Sequence, residues 1–118
     1  MIKVCMYLSV RKIWLAVEPV DMRMGLNGLS QLVQNHLGHA IGSQCAYVFG
    51  NRSRTRLKVL LWDGTGVWVC QRMLHGGRFT WPSGDDLVFE LQKQEWDWLI
   101  LGMDWLRWRA VPNPDWRI

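Results

Sequence analysis

The sequence predicts a small α+β domain: an antiparallel sheet in the order β-α-β-β-β-β-α, with helices covering one face. Three observations predict it. Two stretches carry apolar residues at helical spacing. Short runs rich in β-branched, aromatic and aliphatic residues lie around them. Asp63-Gly64-Thr65-Gly66 separates two of those runs as a hairpin turn does. The chain has 118 residues, enough for one domain with its own core and too few for two. The reading places that domain at residues 1–104 and leaves 105–118 as an irregular tail rich in Trp and Arg.

Each element has its own justification. Ile13-Trp14-Leu15-Ala16-Val17 reads as a buried strand closed by Glu18-Pro19, and Val4 to Leu8 as a second short strand or a frayed end. Asp21 suits a helix N-cap, because its carboxylate can accept orphan backbone N–H groups. From there Met22, Leu26, Leu29, Val33 and Leu37 form one apolar stripe, and Gly38 is placed to end the helix. Gly25 and Gly28 weaken that helix by about 1 kcal/mol each relative to Ala, and their spacing would let it approach a sheet closely.

Cys45 to Phe49 reads as a strand, and Arg56 to Trp62 with Val67 to Leu74 as a hairpin. The even-length loop sets its register: Trp62 faces Val67, Leu61 faces Trp68, Val59 faces Cys70 and Leu57 faces Arg72. Leu57, Val59, Leu61, Trp68 and Cys70 then share the core face, and Arg56, Lys58, Val69 and Gln71 the other. Arg78 to Trp81 is a short extended piece ended by Pro82. Leu87, Phe89 and Leu91 alternate as a strand does. Trp96, Leu99, Ile100 and Met103 fall at helical spacing, with Gly102 near the end.

Composition narrows the function classes. Fourteen Lys and Arg against ten Asp and Glu give a formal net charge of +4, which permits a nucleic-acid partner without demanding one. Most of the basic residues are Arg, the better bidentate reader of phosphates and base edges. Nine Trp exceed what a small core needs, which points to interfaces as well. Cys5, Cys45 and Cys70 are odd in number and widely spaced, arguing against a disulfide framework and for a reducing, cytoplasmic setting. Arg11-Lys12 breaks the first apolar run too early for a signal peptide, and no uncharged stretch reaches membrane-spanning length.

Catalytic constellations are weak. His36, His39 and His75 with the cysteines show no paired zinc spacing, so no metal and no cofactor is expected. Asp21 reads as a cap, Asp63 as a turn residue, and Asp85 and Asp86 as loop solvation, which leaves no converging carboxylates for two-metal chemistry. Gly64 to Gly66 sits in a hairpin, not between a strand and a helix, so it is no phosphate cradle. The strongest signal is a comb of cations at every second position, Arg52, Arg54, Arg56 and Lys58. It reads either as a ribbon that tracks phosphates, extended by Arg72 and Arg78 with Trp62 and Trp81 for stacking, or as the solvated face of an antiparallel strand.

Taken together, "IWLAVEPVDMRMGLNGLSQLV" (13–33), "RLKVLLWDGTGVWVCQRML" (56–74) and "GRFTWP" (77–82) closely resemble the TnpB accessory proteins of bacterial insertion sequences in IS family 66. The likeness runs from Ile13 to Met103 in the same order. It departs in the loop His39 to Gln44, where relatives often read D-P-x-S-G, and at Gln71-Arg72, where they read K-R. The resemblance implies a non-catalytic protein encoded beside a transposase and required for transposition. Trp14, Asp21, Met22, Arg23, Lys58, Trp62, Asp63, Gly64, Gly66, Arg72, Arg78, Phe79, Trp81 and Pro82 stand at the family's signature positions.

Two readings of the working surface follow. In the first, DNA at transposon ends or target is bound by Arg52, Arg54, Arg56 and Lys58, with Arg23, Arg72 and Arg78 hydrogen bonding specifically. In the second, Trp98, Trp105 and Trp108, with Trp96 beside them, anchor the transposase or another protein of the same element without touching DNA. Neither involves a membrane, and both leave a homodimer open.

Overall fold

The structure, a computed structural model, describes residues 10–37 and 44–109. Five strands form one sheet: β1 (Lys12–Ala16), β2 (Cys45–Gly50), β3 (Arg56–Trp62), β4 (Val67–Met73) and β5 (Val88–Leu91). Helix α1 (Leu26–Leu37) lies between β1 and β2 in the chain, while α2 (Lys93–Ile100) and α3 (Trp105–Arg109) follow β5. The strand order across the sheet is β4-β3-β2-β1-β5. The α+β class and the element order agree with the sequence reading. The hairpin register agrees residue for residue, from Trp62 opposite Val67 to Leu57 opposite Arg72.

One pair departs from the antiparallel expectation. β1 and β2 run parallel, with Lys12 opposite Cys45 and Leu15 opposite Val48. Parallel neighbours need a crossover, and the segment containing α1 supplies it. That crossover also corrects the expectation of helices on one face. Leu29 and Val33 of α1 pack with Ala16, Tyr47, Phe49 and Leu60. On the opposite face Ile13, Leu15, Ala46, Val48, Leu57, Val59 and Leu61 pack with Trp96, Leu99 and Ile100 of α2 and Trp105 of α3. Covered on both sides, β2 is buried at all six positions.

Local chemistry explains the element ends. α1 starts at Leu26 rather than Met22, because residues 21–24 are held as a turn. Asp21 Oδ1 accepts the Arg23 N–H at 2.8 Å, and the Asp21 carbonyl accepts Met24 N–H at 3.0 Å. Gly28 does not admit the sheet; it admits the Met24 side chain, whose Cγ would lie 2.7 Å from an added Cβ. At the start of α2 the Glu95 carboxylate accepts the Gln92 N–H at 2.7 Å. At its end Gly102 takes φ +77°, with Met103 N–H on the Trp98 carbonyl and Gly102 N–H on that of Leu99, a Schellman closure.

Three further expectations change. Residues 78–81 form no strand and are not part of the sheet. The tail is not irregular from Trp105: that residue opens α3 and is fully buried, its indole N–H donating to the Thr80 carbonyl at 2.8 Å. Cys70 is disulfide-bonded, where the sequence reading argued against a disulfide framework, while Cys45 is free and buried. Val4 to Leu8, Gly38 and residues 110–118 lie outside the described residues. Among those described, no helix is long and apolar enough to cross a membrane.

Candidate nucleic-acid interface

The β2–β3 turn is built by Asn51. Its side-chain oxygen accepts the N–H groups of Thr55 and Arg56 at 3.0 and 3.1 Å, and its carbonyl accepts Arg54 N–H. The turn puts Arg54 at φ +62°, a left-handed conformation uncommon for a side chain of this size. Alternation therefore stops at β3, and the comb divides.

Arg52 and Arg56 are exposed. Arg54 turns inward. Its Nη2 donates to the Val17 carbonyl at 3.2 Å, and its guanidinium carbon lies 4.9 Å from the centroid of the Trp81 ring. Desolvation, and then the neighbouring charge of Arg52, lower its pKa. Its Nη1 is buried with no hydrogen-bond partner among the described residues.

Lys58 points to the α1 face and donates to the carbonyls of Met22 and Met24 at 2.8 and 2.9 Å. This brings together two of the sequence motifs that carried the family resemblance, Asp21-Met22-Arg23 and Lys58. Arg23 itself stands out in water, 91% exposed, in an ion pair with Asp21 at 2.7 Å. The hydrogen bonds from Arg23 hold the Asp21 carboxyl down at about 2. Arg72 occupies the other face, where its Nε donates to the Ile100 carbonyl at 2.6 Å, at the negative end of α2. Thus Arg72 is not continuous with Arg56 and Lys58.

Arg78 rejoins the turn by a different route. Phe79 N–H donates to the Arg54 carbonyl at 2.7 Å, and Leu74 N–H to that of Thr55 at 3.1 Å. The loop after β4 therefore runs beside the β2–β3 turn. Exposed Arg52, Arg56 and Arg78 come from adjoining segments at one end of the sheet, on its β3–β4 side. Asp85 and Asp86 precede β5, at the same end but on the far side of the sheet.

The tryptophans separate as well. Trp105 is core, edge-on to Phe89 at 5.7 Å between ring centroids. Trp98 is half-buried against the same cluster, and the side chain of Trp108 lies outside the described residues. Trp62 packs against the α1 cluster. Trp81 is held by its indole N–H on the Ala16 carbonyl at 2.9 Å and lies so close over Gly50 that an added Cβ would meet the ring at 2.8 Å. Sequence reasoning missed this cradle of Val17, Gly50 and Trp81 around Arg54. The signal available was Gly50 directly before the basic turn, since an interior strand glycine often marks a close approach.

Asp63 behaves as a turn residue. Its Oδ1 accepts from Thr65 N–H and Oγ1–H and from Gly66 N–H, and its Oδ2 accepts the Trp68 indole N–H at 2.8 Å. These bonds hold its carboxyl at about 2. Among the described residues, no three His, Cys, Asp or Glu side chains stand close enough to hold a metal ion.

Residues 11–110 match the family model described as IS66 Orf2 like protein. The chain is 33% identical over 103 residues to the uncharacterized protein y4jC of Sinorhizobium fredii (strain NBRC 101917 / NGR234), covering 86% of each chain. It is 32% identical over 106 residues to the uncharacterized protein y4hO of the same organism, covering 90% of this chain and 89% of the relative. No solved structure matches it. On this coverage the chain belongs to the family of IS66 Orf2-like proteins, accessory proteins associated with the transposition of bacterial insertion sequences.

Proposed function

We propose that this protein is a non-catalytic accessory factor of transposition that grips DNA through the arginines at the β3–β4 end of its sheet. The observation that carries the reading is the convergence of exposed Arg52, Arg56 and Arg78 on two hydrogen-bonded segments. Free guanidinium forks are suited to phosphate oxygens, and neutralising phosphates releases counterions. Arg23 extends the grip from the adjoining 21–24 turn. Arg54, Lys58 and Arg72 bear backbone carbonyls and hold the platform: Arg54 the turn, Lys58 the 21–24 segment, Arg72 the end of α2. Non-catalytic action is supported by the commitment of Asp21 and Asp63 to local turns.

The test is a titration of the full chain against element-end duplex and random duplex at two salt concentrations. Binding is expected to weaken with salt, with a log–log slope of about −0.9 for each phosphate neutralised. Charge reversal of Arg52 and Arg56 together should abolish it while the fold is retained. Wild type that shows no affinity for either duplex at low salt, yet captures the transposase, overturns the DNA reading.

A further inference from the structure

We infer that β4 is a self-pairing edge, at which two copies of this chain join antiparallel into one continuous ten-stranded sheet. The two edges of the sheet are unlike. β5 is four residues long and carries exposed Glu90, paired with Lys12 at 3.7 Å, which is how natural edges discourage a further strand. β4 has seven residues, and its single charge, Arg72, is drawn onto the Ile100 carbonyl. No described strand pairs with its outer side.

Backbone directions follow from the β3–β4 ladder. Gly66 pairs with Asp63, and Leu74 with Thr55, through N–H to carbonyl bonds, so the even-numbered residues of β4 face β3. Val67, Val69, Gln71 and Met73 therefore direct their N–H and C=O groups outward. The same odd-numbered residues carry the exposed apolar side chains: Val69 is 46% exposed and Met73 51%. Both lie on the α1 face; of the β4 side chains there, Val67 packs against the α1 cluster, while Val69 and Met73 do not.

A second copy is the occupant that matches this edge. A two-fold axis through Gln71 sets Gln71 opposite its own copy and Val69 opposite Met73 of the other, twice by symmetry. The odd-numbered residues then face one another as hydrogen-bonding pairs, and the even-numbered ones as the non-bonded pairs between them. Both exposed apolar side chains find an apolar neighbour on one face, and Arg72 faces Cys70 rather than a like charge. An axis on Val69 would leave Met73 beyond the strand pairing, and one on Cys70 would set Val69 against the Gln71 amide.

The experiment is the solution mass of the full chain by sedimentation or light scattering, followed by two edge variants. Wild type is expected at the dimer mass. Gln71→Pro deletes one outward N–H and leaves the bonds to β3 intact, and Val69→Lys places a charge on the seam. Both should run as monomers with wild-type circular dichroism. If Gln71→Pro does not fold, Val69→Lys decides. Mixing Val69→Cys with Met73→Cys protein under mild oxidation should give a covalent dimer above the wild-type background, which neither gives alone. Wild type that stays monomeric at every concentration measured overturns the inference, whether or not another protein's strand then binds β4. So does a dimer that persists in Val69→Lys.

Discussion

Arg54 lies with its guanidinium carbon 4.9 Å from the centroid of the Trp81 ring, and that ring in turn covers Gly50. A cation over a ring face in a partly desolvated place is an attractive contact, and the bond to the Val17 carbonyl adds to it. The residue at the centre of the basic turn therefore joins that turn to the end of β1.

Arg54→Ala is expected to lower unfolding stability by about 2 kcal/mol, through the lost ring contact and charged hydrogen bond. Arg54→Lys should restore only part, since a point charge cannot both stack on Trp81 and reach Val17. Arg52→Ala should stay within about 0.5 kcal/mol of wild type, as an exposed substitution does. Urea titrations of the three variants check this; equal effects at positions 52 and 54 would contradict the role assigned to Arg54.

Lys58→Met removes the donor from two carbonyls and is expected to cost about 1–3 kcal/mol. Amide exchange at Arg23 and Met24 should speed up selectively, because the 21–24 turn loses its anchor. A variant with unchanged stability and exchange but weakened DNA binding would instead make Lys58 a phosphate contact.

Trp105→Ala should destabilise the fold by about 3–5 kcal/mol, the range for emptying a large aromatic site in a core. Trp105→Phe should cost less, mainly through the Thr80 carbonyl left without its indole donor. Thermal melts measure both. A surface anchor would show the opposite pattern, with stability kept and a partner lost.

His36 on α1 and the buried Tyr47 hydroxyl are 2.5 Å apart. Burial lowers the imidazole pKa below its ordinary 6.5 and pushes the phenol up, so at neutral pH both groups are uncharged and share this hydrogen bond. The folded state then binds fewer protons than the unfolded one as pH falls below about 6.5. This contribution to stability is present above that pH and declines beneath it, down to the lowered pKa. His36→Gln should flatten stability in that window relative to wild type, as denaturant titrations between neutral and mildly acidic pH will read. Unaltered pH dependence in the variant removes His36 as the cause.

The sequence by itself determined the class, the element order and the register of the β3–β4 hairpin. Those rest on local rules: apolar spacing, the chemistry of Asp63-Gly64-Thr65-Gly66, and strict alternation once a turn length is known. It also held an unread sign of burial on both faces. Ile13 to Val17 and Cys45 to Phe49 are unbroken rather than alternating runs, as strands covered on two sides are. What only the tertiary structure decided is which cations face water. Alternation assigned Arg54 and Lys58 the same standing as Arg52 and Arg56. The carbonyls that claim Arg54 and Lys58 belong to Val17, Met22 and Met24, more than thirty residues away in the chain. Arg78 joined Arg56 only through bonds between two separate loops, and Trp105 left the surface because the α2 closure at Gly102 carries it back into the core. Long-range hydrogen bonds and packing of this kind have no local pattern, so no spacing in the sequence announces them.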